Sequence, residues 1–169
     1  PYIQAAMNLS GVTPVSILSG EAMQFEELLE SIEGTGNITI RDVIILVQLE
    51  LFVFYQDWNA AHSLLIKDGN AGSIRKCTIG SFQSVRFTFV ESLICLKVSQ
   101  LSSTSLLGKR KCRRQALKSM NTIKGWLKEG NVNVVHLMQI LNAVLNEGND
   151  GAEDHFKEAA ATAARNGFI

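Results

Sequence analysis

The distribution of proline constrains the fold of this chain more than any other feature. The only two prolines are Pro1 and Pro14, so no residue after Pro14 interrupts a helix by ring geometry. Apolar residues recur at helical spacing through most of the stretch that follows. The sequence therefore predicts an all-α protein.

Composition and charge exclude several classes of protein. Of the 169 residues, 46% are hydrophobic and 19% are charged, with 16 basic against 16 acidic side chains. A neutral chain this apolar does not remain disordered, and its length fits one domain. Because zero net charge gives no general attraction to phosphate, we expect no nucleic-acid partner.

The cysteines and the most apolar window bear on location. Three cysteines form neither an even disulfide set nor a paired metal spacing, which favours a reduced, cytoplasmic setting. The window 43–55 includes Gln48 and Glu50 and falls short of the roughly 20 residues that cross a bilayer, so no membrane span is expected. The start at Pro1 and the stop at Ile169, right after a helix-stop signal, suggest a piece of a longer protein.

The first part of the chain contains a leading segment and one helix. Residues 1–18 show no clear period and are interpreted as a leading segment or the tail of an earlier helix. A helix is predicted from Glu21, with Ser19 able to cap it and Gly34 or Gly36 able to end it.

A first helical hairpin is predicted over 39–69. Thr39 and Asp42 have the spacing of a capping box ahead of an almost wholly apolar stretch. A helix that is apolar all round must be covered on most sides. Asp57 can cap the partner helix and Gly69 can end it in a left-handed conformation.

Two more hairpins follow a linker. Residues 69–81 mix Gly, Ser and Thr and are predicted to form that linker. A second hairpin is predicted over 82–130; its first helix begins with β-branched and aromatic residues, but about 20 residues exceed an ordinary strand. The third hairpin covers 133–167, with its turn at 148–151.

Three helix pairs in series are typical of a solenoid, because no single pair can bury its own faces. The second helices carry small residues that allow close approach and larger ones that fill the gaps between helices. These predicted packing residues are Ala61, Leu65, Ala116, Met120, Ala152, Phe156 and Ala159. The spacing Ala-x3-Phe-x2-Ala resembles the second helix of a tetratricopeptide repeat and fits best over 133–166. The resemblance implies that 19–169 forms a right-handed superhelical stack of hairpins, with about seven helices.

A second resemblance concerns the setting of the chain. Over roughly residues 20–169 it is similar to a helical region of large diatom and fungal multidomain signalling proteins. In those proteins the region follows a predicted NTP-hydrolysing domain, often with a protein-kinase-like domain ahead and a sensor or cyclase-type module behind. The segments that carry this resemblance are 48–51, Tyr55, 57–58, 87–91, 126–131, His136 and 164–168.

The resemblance implies a non-catalytic scaffold or protein-interaction region of a larger signalling ATPase or kinase, whose partners are other domains of the same chain or a protein or peptide. The sequence has no Gly-x4-Gly-Lys-Ser/Thr motif. His62, His136 and His155 lie in no metal-binding spacing. We therefore expect no catalytic residue, cofactor or metal in this segment.

The alternative function is a stand-alone adaptor of the tetratricopeptide kind that binds an amphipathic peptide or helix. In such repeats the first helices line the concave face. The candidate groove residues are Val134, Leu137, Leu141, Val144 and Glu50. They are mostly apolar, so a core role is favoured over a groove.

Cys112 is the candidate reactive thiol, because basic residues surround it within 109–114. Cations depress the pKa of a thiol if they also surround it in space. A redox-responsive domain is therefore a minor alternative. The same basic run could be a localisation signal or a contact for an acidic partner, although a solvated helix start is favoured.

Overall fold

The computed structural model describes residues 1–12, 16–148 and 152–167. Within them the chain forms helices and no strand, which confirms the all-α prediction. It divides into two compact units, Pro1–Val90 and Glu91–Ile169. The described α-helices are α1 (Tyr2–Leu9), α2 (Phe25–Thr35), α3 (Ile38–Phe54), α4 (Trp58–Ile66), α5 (Asn70–Cys77), α6 (Phe82–Gln100), α7 (Leu106–Lys128), α8 (Val135–Leu145) and α9 (Ala152–Arg165), with 3-10 turns at Lys67–Gly69 and Val132–Val134.

Helix α3 lies at the centre of the first unit. Helices α1, α2, α4 and α5 all pack against it. Six consecutive residues, 44–49, are each no more than 2% exposed. A helix buried at six positions in a row has neighbours on every side, which confirms the expectation from its all-round apolar character.

Helices α3 and α4 begin with different capping interactions. At α4 the predicted cap is confirmed, because the Asp57 carboxylate accepts a hydrogen bond from the Ala60 N–H at 3.1 Å. The capping box predicted for Thr39 and Asp42 is wrong. Helix α3 begins earlier, and the Asn37 side chain accepts from the Ile40 N–H at 3.2 Å. Asp42 lies in the second turn and is buried.

The predicted linker is wrong over residues 70–77, which form α5. Gly69 has the left-handed φ of 74° expected of a helix stop, but the next residue starts a new helix. Helix α5 packs against α3 and α4. It is held there by Ile74, which is fully buried, and by the Asn70 side chain, which donates to the Leu64 carbonyl at 2.8 Å.

Polar side chains join α5 to the start of α3. Ser73 donates to the Asp42 carboxylate at 2.6 Å. Arg41 contacts that carboxylate at 3.1 Å and donates to the Asn70 side chain at 2.6 Å. Since Asp42 is fully buried and Arg41 is 18% exposed, this network satisfies a charge that would otherwise be costly inside the unit.

Helix α1 occupies part of the predicted leading segment, and its amide side chains hold the chain that follows it. The Gln4 side chain accepts from the Ala22 N–H at 2.8 Å. The Asn8 side chain donates to the Ile17 carbonyl at 2.7 Å. Both side chains are fully buried. These bonds satisfy the backbone groups of Ile17 and Ala22, neither of which belongs to a helix.

Gln48 of α3 anchors the same segment from the other side. The oxygen of its side-chain amide accepts from the Leu18 N–H at 2.5 Å, and the nitrogen of that amide donates to the Ser16 carbonyl at 2.7 Å. Gln48 and Leu18 are both fully buried. Gln48, a polar residue in the most apolar stretch of the sequence, therefore holds the backbone of residues 16–18 in place through two hydrogen bonds.

Helix α2 begins at Phe25 and not at the predicted Glu21. The predicted cap Ser19 still acts at this end, because its hydroxyl accepts from the Phe25 N–H at 3.0 Å across an intervening turn. Gly36 ends the helix with a φ of 67°, one of the two predicted stops. Helix α5 is therefore the helix that the sequence did not predict, whereas α1 lies where the sequence left open either a leading segment or the tail of an earlier helix.

The second unit contains α7, α8 and α9 and the later part of α6. Helix α7 packs against α8, and α8 packs extensively against α9. Ser119 of α7 donates to the buried Glu91 carboxylate of α6 at 2.8 Å, and Lys97 contacts Glu147 at 2.6 Å. Helix α9 (Ala152–Arg165) lies within the predicted third hairpin, directly after its predicted turn. Most of the predicted turn at 148–151 lies outside the described residues.

Candidate functional site

A cleft of about 390 Å³ opens in the first unit between α1 and α3. Its walls are apolar and come from one face of each helix: Ala5 and Ala6 of α1, and Val47 and Leu51 of α3. The small alanine side chains leave the space, because larger residues at these positions would fill it. The cleft is large enough to receive two or three apolar side chains or a small ligand.

Tyr55 fixes α1 on α3 and so defines the width of the cleft. Its hydroxyl donates to the Asn8 carbonyl near the end of α1 at 2.7 Å. Its ring lies edge-on to that of Phe54, with 5.4 Å between the ring centroids. The preceding residue, Phe54, is thereby positioned at the mouth of the cleft.

Three large apolar side chains form the rim. Tyr2 is 50% exposed, Leu9 is 46% exposed and Phe54 is 61% exposed. Isolated exposed apolar residues are common, but three around one apolar cleft are typical of a protein-interaction surface.

An ion pair between Glu50 and Arg86 lines part of the cleft. The Arg86 Nε donates to Glu50 Oε1 at 2.8 Å, and its Nη2 donates to Oε2. A third donor, Nη1, donates to the side-chain amide oxygen of Gln83 at 2.8 Å, and the guanidinium lies 5.7 Å from the centre of the Tyr2 ring. Arg86 is thus held by a fork of hydrogen bonds and an aromatic face.

Burial and pairing act differently on the two charges. Burial raises the pKa of the Glu50 carboxyl, and this outweighs the lowering by the charge of Arg86. Burial lowers the pKa of Arg86, but the charge and hydrogen bonds of Glu50 and the contact with Tyr2 outweigh it, so the pKa of Arg86 is raised. The guanidinium therefore stays charged and forms a fixed polar point in an apolar cleft.

The structure separates the candidate groove residues. Glu50 lies in the cleft. Val134, Leu141 and Val144 belong to the second unit and are at most 2% exposed, while Leu137 is partly buried. The three buried residues belong to the core, which is the role that the sequence favoured for them. They offer no surface to a ligand.

The predicted packing residues are mostly buried in their own units. Ala61, Leu65, Ala116, Met120 and Ala159 are each no more than 3% exposed, and Ala152 is partly buried. Phe156 differs, because it is 40% exposed. Helix α9 buries Ala159, Thr162 and Ala163 instead, so its small residues and not its aromatic ring face the neighbouring helix.

Sequence reasoning missed the rim of the cleft. Phe54 follows Glu50 by four residues and so shares its helical face. Tyr2, Ala5, Ala6 and Leu9 also have the three- and four-residue spacing of an amphipathic helix. That signal could have identified α1, but the window is only eight residues long.

Cys112 is not the activated thiol that its basic neighbours suggest. It is 6% exposed, and burial raises the pKa of its thiol, an effect that a hydrogen bond with Cys95 only partly offsets. Successive helical residues lie about 100° apart, so the flanking cations point away from the buried Cys112 side chain. The prediction of a depressed pKa is therefore wrong.

We expect maleimide to label Cys112 at least about tenfold more slowly at pH 7 than it labels an unstructured peptide thiol, because only the exposed thiolate reacts. Cys77 is partly exposed and provides a reference within the molecule. Mass spectrometry of the digested protein over a time course measures both rates. A Cys112 rate equal to that of the peptide would contradict the expectation.

The remaining titratable side chains are not assembled into a metal site. In the described part of the chain no group of three or more His, Cys, Asp or Glu side chains could hold a metal ion. Burial lowers the pKa of His62 and also that of His136.

No helix among the described residues has the length and apolar character needed to span a membrane. Comparison of the chain with protein-family models, with curated proteins and with solved structures finds no match.

Proposed function

We propose that the chain is a non-catalytic helical scaffold that binds an amphipathic helix of a protein partner in the α1/α3 cleft. The observation that carries this proposal is the apolar cleft with Tyr2, Leu9 and Phe54 half exposed around it. A helix in such a groove inserts apolar anchors spaced three and four residues apart. Half-exposed aromatic residues lose water when a partner covers them, which makes them effective binding residues.

The ion pair of Glu50 and Arg86 supplies orientation in this proposal. Both side chains are about one quarter exposed, so a partner that covers the cleft would desolvate them further. Glu50 and Arg86 already neutralise each other and need no charge from a partner. The pair therefore favours a partner helix that places apolar atoms over the cleft and keeps the partner's own charged face toward water.

The wider setting is also part of the proposal. We infer a right-handed superhelical stack of the tetratricopeptide kind, which the packing of consecutive helices such as α3 with α4 and α8 with α9 supports. The resemblance to large signalling proteins supports a place beside an ATPase or kinase-like domain of the same chain. A stand-alone adaptor would use the same cleft on a separate partner.

A fluorescein-labelled 18-residue peptide, designed as an amphipathic helix with leucines on one face, tests the cleft. We expect it to bind with a Kd on the order of 10–100 μM by fluorescence anisotropy. The substitution Phe54→Asp should raise this Kd at least about tenfold, since it places a charge on the apolar rim.

Ile66→Asp provides the matched control. Ile66 is 63% exposed against 61% for Phe54, and it lies at the end of α4 and outside the cleft. We expect Ile66→Asp to leave the Kd unchanged within about twofold. Equal loss in the two variants, or no peptide binding at all, would refute the proposed use of the cleft.

A further inference from the structure

Helix α7 has an unusual composition. Over its 23 residues it carries eight Lys and Arg side chains and no Asp or Glu. Ordinary surface helices mix both signs, and mixed pairs stabilise them. The eight basic residues of α7 are Lys109, Arg110, Lys111, Arg113, Arg114, Lys118, Lys124 and Lys128.

Seven of these eight side chains are exposed, and only Lys109 is partly buried. At 3.6 residues per turn and 1.5 Å per residue, the seven cover an arc of about 160° and a length of about 27 Å. Among the described residues none of the seven has an ion-pair partner. The opposite face of α7 is buried through Ala116, Met120 and Ile123.

The neutral charge of the whole chain conceals this surface. Residues 1–90 contain five basic and nine acidic side chains, and residues 91–169 contain eleven basic and seven acidic ones. The formal charges are therefore −4 and +4. The zero net charge of the whole chain argues against attraction to phosphate, but it does not describe the second unit, whose charge is positive.

We propose that the exposed face of α7 binds the phosphate backbone of double-helical nucleic acid without sequence selectivity. A row of cations uninterrupted by acid matches a uniform polyanion, and phosphate contacts need no base-reading groups. Asn121 and Thr122 are exposed among the cations and can donate to phosphate oxygens.

The surface fits other polyanions less well. A helix that lies in a bilayer surface buries its apolar face in lipid, but the apolar face of α7 is already buried against its own unit. Its exposed large apolar side chains are Leu106 and Leu107 at the start of the helix and Leu117, which is 40% exposed, and these three leucines do not form a continuous apolar face that could enter lipid. Protein interfaces have an apolar centre and few lysines, whereas four of the seven exposed cations are lysines.

The test is binding of fluorescein-labelled 20-base-pair DNA and RNA duplexes to the full chain by anisotropy, over a range of salt concentrations. If about five phosphates are neutralised, the slope of log K against log salt should be about −4.5. The double variant Arg114→Glu, Lys118→Glu should weaken binding at least about tenfold and reduce the slope by about two.

The matched control changes the same total charge elsewhere. Lys67→Glu with Lys76→Glu alters two exposed lysines of the first unit and should change the affinity less than about twofold. Binding of either duplex with these effects supports the proposal. Equal effects of the two double variants would overturn it, as would no duplex binding at 50 mM salt. Binding only to phosphatidylserine vesicles or only to polyglutamate would overturn it too, by assigning the face to a membrane or an acidic protein.

Discussion

Replacing Asp42 with alanine should lower the free energy of unfolding of the first unit by about 3 kcal/mol. The Asp42 carboxylate is fully buried and accepts from Arg41 and Ser73. Its removal leaves the guanidinium of Arg41, which is 18% exposed, without its nearest anion, and leaves the Ser73 hydroxyl without an acceptor. The Glu33 carboxylate, 3.8 Å from the Arg41 Nε, remains, but it is mostly exposed and replaces the buried Asp42 only weakly. A mostly buried charge with so weak a partner costs more than the lost bonds themselves.

Urea denaturation followed by tryptophan fluorescence measures this loss. Trp58 and Trp126 are the two tryptophans of the chain, and each lies in a different unit. In a Trp126→Phe background, fluorescence therefore reports on the first unit alone. The comparison variant is Asp57→Ala, which removes a helix cap and should cost about 1 kcal/mol. Equal losses at the two positions would show that the Asp42 network contributes no more than a cap.

Replacing Gln48 with leucine should destabilise the first unit by about 2–3 kcal/mol, although leucine is the more apolar residue in a buried helix. The change removes the partner of the buried Leu18 N–H and that of the partly buried Ser16 carbonyl. Each unsatisfied buried group costs about 1–3 kcal/mol, which exceeds the gain from burying a leucine side chain in place of an amide.

The same fluorescence assay checks this prediction, and hydrogen exchange adds a local measurement. The Leu18 amide should exchange much faster in Gln48→Leu, while amides in the middle of α3 change only with global stability. Gln24→Leu is the control, because Gln24 is exposed and donates one bond to the Gly20 carbonyl. A Gln48→Leu protein as stable as the parent would mean that the loop at 16–18 finds other partners.

Local sequence signals predicted those parts of the fold that depend on local physics. The apolar run around Ile45 predicted a helix covered on most sides, and Asp57 predicted a cap, because both effects act within a few residues. Helix α5 was missed because its position depends on bonds to Arg41 and Asp42, about 30 residues away in the chain. One buried isoleucine in eight residues gives no period to detect.

The candidate site was predicted only in part for the same reason. Glu50 was identified because the repeat pattern places the first helix of each hairpin on the concave face, but its partner Arg86 lies 36 residues later, on α6. The role of Cys112 was misjudged because adjacent cations in sequence lie on other faces of the helix. The exposed face of α7 was visible as a basic run, yet its extent to Lys128 required the burial of the opposite face to be known.

The buried thiols have a consequence for measuring motion in this protein. Cys95 and Cys112 belong to the second unit and are 4% and 6% exposed, so a reagent reaches them only when that unit opens. Under conditions where reclosing outpaces reaction, their modification rates equal the intrinsic rate times the open fraction, which yields a local opening free energy. The chain thus contains native reporters of transient opening in its second unit, and no engineered label is needed.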